Sequence, residues 1–164
     1  MPSPLMTVMR AAVSQAFSVI GGAALFFATH PFLLLLSLLP ASLRAYQMKY
    51  GSAPQALEIV VEGARVFFAV WAVYAANGNA GPLFSSETWS RIWHTVLPRT
   101  AAMQPEDWIQ ASAAYFVAMA ALWLAGCALE KLVFPGAMPI VYFIKNMTVI
   151  PLAILILLRL IRWI

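Results

Sequence analysis

"WIQASAAYFVAMAALWLAGCAL", residues 108–129, contains no Asp, Glu, Lys or Arg. An apolar helix of about 20 residues, rising about 1.5 Å per residue, crosses the roughly 30 Å hydrocarbon core of a bilayer. The remainder of the chain decides whether this stretch is a soluble core helix or a membrane span. Its 164 residues are 63% hydrophobic and only 10% charged, with mean hydropathy +0.83. A soluble domain of this length would have too little polar surface to cover such a sequence. The chain therefore reads as an integral, multi-pass membrane protein.

Working outward, four spans are expected: one within residues 16–39, then 57–76, 108–129 and 139–158. Each should be a helix, because lipid offers no partner to an unpaired backbone group. The alternating pattern of a membrane β-barrel is absent. The predicted fold class is all-α: one polytopic domain over residues 1–164, a bundle of about four transmembrane helices plus an amphipathic interfacial helix near 85–97. Arg10 followed by "AFSVIGGAALFFA" (16–28) has the look of a secretion signal. Yet the apolar run continues through "HPFLLLLSLL" (30–39) without a small-x-small cleavage site, so a retained first helix is expected.

Within that run His30-Pro31 predicts a kink, since proline removes a donor and crowds the preceding turn. Ser14, Ser18 and Gly22 form one small-residue stripe and Ala114, Ala118, Ala121 and Ala125 another. Such stripes let helices approach closely, within the bundle or in a homodimer. The first connection, "PASLRAYQMKYGSAP" (40–54), is basic and ends in turn residues. In the longest connection Trp89, Ile92, Trp93, Val96 and Leu97 recur at helical spacing, with Ser85 or Ser86 as cap and Pro98 as stop. Tryptophans on a greasy face suit a helix lying on the membrane surface, or docking on a partner protein. Pro151 should bend the last helix. Arg162 and Trp163 in "RLIRWI" (159–164) complete the surface set as anchors.

The lone Cys127 excludes an internal disulfide and reads as a packed thiol. Net charge +4 and pI near 9.6 come from scattered basic residues, which suits anionic headgroups rather than nucleic acid. Under a four-span topology Arg10, Arg91, Arg99, Arg159 and Arg162 share one side. Arg44, Lys49, Lys131 and Lys145 share the other. The count tips both termini toward the cytoplasm of a plasma (inner) membrane.

The second span carries Glu58, Glu62 and Arg65 in "LEIVVEGARVFF" (57–68). Bare charges are costly within hydrocarbon and call for partners. The same topology brings Glu130, Lys131, Lys145, Asn146 and His30 toward the same end of the bundle, so these groups form a candidate polar cluster. Glu62 and Arg65 share a helix face. Glu58 and Glu62 would repel unless a cation, from Arg65, Lys145 or Lys131, intervened. Two carboxylates one turn apart could also bind Mg²⁺ or Ca²⁺, but an internal ion-pair network is the preferred reading, with no metal and no cofactor.

No G-x-S-x-G elbow, H-E-x-x-H, P-loop or dinucleotide fingerprint occurs. The expected function is accessory or structural rather than enzymatic: a small membrane subunit binding lipid, a membrane-protein partner or a second copy. The alternative is an enzyme or carrier for lipid or ion, working through Glu58, Glu62 and Arg65.

Overall fold

The computed structural model describes residues 4–51, 55–78, 81–132 and 137–164. Among them run six helices and no strand: α1 (Pro4–Thr29), α2 (Pro31–Tyr50), α3 (Gln55–Ala76), α4 (Ser86–Ala101), α5 (Pro105–Leu132) and α6 (Met138–Leu160). Four segments are long and apolar enough to cross a membrane: Met9–Thr29, Ala56–Ala76, Pro105–Lys131 and Met138–Leu160. Between 22% and 28% of each apolar window is buried inside the chain, whereas a soluble core helix this apolar would be mostly covered. The uncovered residues, among them Phe17, Leu25, Val66, Phe116 and Ile140, form the belt that lipid would solvate.

The first span differs from expectation. It is Met9–Thr29, not a stretch within 16–39, and His30-Pro31 is a complete break rather than a kink. Proline drives the residue before it out of the helical region, and His30 has φ −117° and ψ 83°. The break frees the Phe26 carbonyl, which His30 N–H would bond in a continuous helix. The N–H turns instead to Phe27 O at 3.4 Å, and the ring Nδ1 donates to Phe26 O at 2.7 Å. Thr29 Oγ1 donates to the same Phe26 O at 3.1 Å. These bonds satisfy the freed carbonyl, and Phe27 of α1 and Leu36 and Ser37 of α2 both flank Phe68 of α3.

Helix α2 therefore stands as a separate rod. Along α3 it runs antiparallel, with Phe32 and Trp71 ring centroids 4.3 Å apart near one end and Arg44 on Glu58 at the other. Along α6 it is also antiparallel: Ser37 and Pro40 lie beside Pro151 and Ile154, and Arg44 and Gln47 beside Tyr142 and Asn146. Central α6 packs against α1, α2, α3 and α5. Two ends result. The turn end holds Gly51, the start of α3, the end of α5 and the start of α6. The cap end holds His30-Pro31, α4 and the C-terminus.

The small-residue seam between α1 and α5 is only partly the expected one. Ala114 and Ala118 are fully buried, but Ala121 and Ala125 are not. On α1 the buried positions are Ala12, Ala16 and Ala23, while Ser14 and Ser18 are exposed. Backbone approach between membrane helices rewards small side chains of any kind, and here alanine supplies them.

Candidate functional site

The turn end gathers the charges. Arg44 of α2 lays its guanidinium fork on Glu58 of α3, Nη1 to Oε1 at 2.7 Å and Nη2 to Oε2 at 2.6 Å. Gln47, one turn further along α2, donates to Glu58 Oε1 at 2.9 Å and accepts from Arg44 at 2.7 Å. Arg44 Nη2 also stands 3.8 Å from Glu62, so it is the cation that relieves the Glu58–Glu62 repulsion. Glu62 takes a further bond from Arg65 at 2.6 Å. Arg65 Nη2 donates to Asn146 Oδ1 of α6 at 3.2 Å, and Asn146 Nδ2 donates to Tyr142 O at 2.8 Å. Three helices are thus tied through one run of charge-assisted bonds, the strong class of hydrogen bond.

A second pair sits on the other flank of α6. Lys145 donates to Glu130 of α5 at 2.6 Å. Its stem crosses Gly126, where an added Cβ would lie 3.2 Å from Lys145 Cε. Consecutive Lys145 and Asn146 thus serve different neighbours, as residues about 100° apart on a helix must.

The candidate residues divide accordingly. Glu58, Glu62, Arg65 and Asn146 meet; Glu130 and Lys145 form an adjoining pair; His30 does not join. It lies at the cap end, beside Phe26 at 4.0 Å between ring centroids. About 20 Å of helix, at ~1.5 Å per residue, separates Pro31 from Arg44. Arg44 and Gln47 were missing from the sequence-based set. Their signal was the near-symmetry of Arg44 and Glu58 about Gly51, which is that of an α-hairpin. Gly51 has φ +89° and closes α2 through its N–H on Gln47 O at 2.9 Å.

Beside this network an open cavity of ≈ 300 Å³ separates α2 from α6, lined by Arg44, Gln47, Met48, Tyr142 and Asn146. Among the described residues no three His, Cys, Asp or Glu side chains are grouped to hold a metal ion. Both oxygens of Glu58 and Oε1 of Glu62 are held by guanidinium groups.

At the cap end the expected surface residues are placed differently. Ile92 and Val96 are buried within the chain, at 1% and 0% exposure, so they do not face the membrane surface. The apolar face of α4 instead closes over the ends of α3 and α6. Trp93 stacks edge-on with Trp163 at 5.3 Å, and Trp89 meets Tyr74 at 6.5 Å. Trp163 donates from Nε1 to Thr100 Oγ1 at 2.9 Å and accepts from Asn77 at 3.1 Å through its carbonyl. Trp89 donates to Leu83 O at 2.7 Å. Trp93 keeps 37% exposure, and Arg162 reaches Asp107 at 3.1 Å. Pro98 does not stop α4, since losing one N–H still lets Ala102 N–H bond Pro98 O at 2.9 Å. Ser85 occupies the N-cap position without a side-chain bond.

Comparison with protein-family models, with curated proteins and with solved structures gives no match to this chain.

Proposed function

We propose that this chain is a non-catalytic subunit of a plasma (inner) membrane that binds lipid and a membrane-protein partner or second copy. The carrying observation is that the charges of the turn end are already spent on one another. Glu58, Glu62 and Glu130 each hold a cation within 2.6 Å, and Arg44, Arg65 and Lys145 are held in turn. A carboxylate held by a guanidinium or ammonium group is a weaker base and a poorer cation ligand than a free one. This network reads instead as a clamp that fixes α2 against α3 and α6.

Native mass spectrometry after gentle extraction tests the function. A co-purifying protein at fixed stoichiometry, a dimer or retained lipid supports it. A strictly monomeric, lipid-free, partner-free chain opposes it. The rival reading, a carrier or enzyme for lipid or ion, draws on the cavity beside Arg44. Under it Glu62→Gln abolishes turnover or transport and leaves folding intact; under the clamp reading the same change lowers thermal stability.

A further inference from the structure

We infer that Arg159 is an anion-binding group, seated in a notch that Gly22 leaves on α1, and that it takes a phosphate group, foremost that of a membrane phospholipid. This rests on the reading above that the chain binds lipid, and it names the lipid chemistry and the residue.

Arg159 lies in the last turn of α6. Helical Cα–Cβ bonds tilt toward the N-terminus, so its side chain runs back along the bundle. The guanidinium comes to rest on α1. A Cβ added to Gly22 would overlap Arg159 Nη1 and stand 2.8 Å from Cζ, so a larger residue there must push the guanidinium aside. Arg159 closes the candidate span Met138–Leu160, near the depth of lipid phosphates, and an ionised side chain at a span end calls for a partner.

Among the described residues no acidic side chain pairs with Arg159. Of its six acidic residues, five are committed: Glu58 and Glu62 to Arg44 and Arg65, Glu87 to Arg91, Asp107 to Arg162 and Glu130 to Lys145. The sixth, Glu106, is exposed in the first turn of α5 and makes no ion pair with a described residue. Arg159 Nε is buried without an acceptor, and no other atom of its guanidinium has a hydrogen-bond partner among the described residues. Arg65 also has an orphan Nε, but its Nη1 and Nη2 are both bonded.

The surroundings select the ligand. Ser18 and Leu25 flank Gly22 on the same stripe of α1, and both are exposed. The guanidinium thus borders the outer edge of the seam, with a hydroxyl one turn away. A planar fork of N–H donors matches two phosphate oxygens. Apolar neighbours such as Leu25 and Phe17, 67% and 65% exposed, suit the acyl chains attached to that phosphate.

The test is native mass spectrometry of the full chain, delipidated stepwise and then offered phosphatidylglycerol micelles or, separately, inorganic phosphate. Wild type should hold one phosphatidylglycerol. Arg159→Gln and Gly22→Ala should weaken it at least tenfold, Arg159→Lys less, and the exposed control Arg99→Gln not at all. One inorganic phosphate bound through Arg159, without lipid, would support the site and assign the free anion to it. Lipid held equally by wild type, Arg159→Lys and Gly22→Ala would overturn the Arg159 site while leaving a lipid-binding protein. Lipid and phosphate held by none of them would overturn both.

Discussion

Arg44 and Glu58 face each other across the turn at Gly51, joined by two parallel hydrogen bonds of 2.7 and 2.6 Å. That contact fixes the register of α2 against α3. Removing either partner leaves the other charged and poorly solvated, though Glu58 keeps 44% of its side-chain surface and the loss is smaller than for a fully enclosed pair. Arg44→Gln and Glu58→Gln should each lower the melting temperature in detergent by several degrees. The exchange Arg44→Glu with Glu58→Arg should recover most of it. Single variants as stable as wild type would show that the clamp contributes nothing.

The α1–α5 seam makes a second prediction. Ala114 and Ala118 have no exposed surface, and Ala16 and Ala23 of α1 are equally covered. Closely approaching backbones leave no room for longer side chains, and overpacking costs about 1–3 kcal/mol. Ala114→Leu should destabilise by about that amount in reversible unfolding, whereas Ser18→Leu, on the exposed face of α1, should be near neutral.

The span-forming helices were legible because length and hydropathy suffice for them, as in the charge-free run 108–129. What misled was Pro40. Reading it as the end of the first helix made 40–54 a connection, which drew His30 toward the turn end and demoted Arg44 to a loop cation. Pro40 instead lies inside α2, which runs on to Tyr50. The strength of a proline break depends on whether orphaned carbonyls find other donors; at His30-Pro31 the His30 ring and Thr29 hydroxyl supply them, which no spacing rule anticipates. Asn146 and Arg65 were placed correctly because their helices were.

The cap end follows the same logic. A face of Trp, Ile and Val at helical spacing says that α4 buries one side, not what it buries it against. Ile92 is 1% exposed beneath that helix, so Ile92→Ala should destabilise by about 2–4 kcal/mol, the range for truncating a buried aliphatic side chain. It should also raise the labelling of Trp163 by polar quenchers. If α4 rested on lipid instead, the change would weaken membrane association of that helix and leave the melting temperature of the bundle unmoved.

The path of α2 sets the last prediction. Phe32 beside Trp71 and Arg44 beside Glu58 mark two points that α2 and α3 share. They lie 12 residues apart on one helix and 13 on the other, about 18–20 Å at ~1.5 Å per residue. That is most of a hydrocarbon core of about 30 Å, so α2 must travel nearly as deep as α3. Gly22 lies against Arg159 in the last turn of α6, and Phe27 against Phe68 nearer the middle of α3, so α1 already heads toward the turn end and shares one bent crossing with α2. With α3, α5 and α6 that makes four, and an even number puts both termini on one face. Epitope tags at the two ends, probed in sealed right-side-out and inverted vesicles, should therefore label in the same preparation. Labelling in opposite preparations would mean that α1 and α2 each cross by themselves.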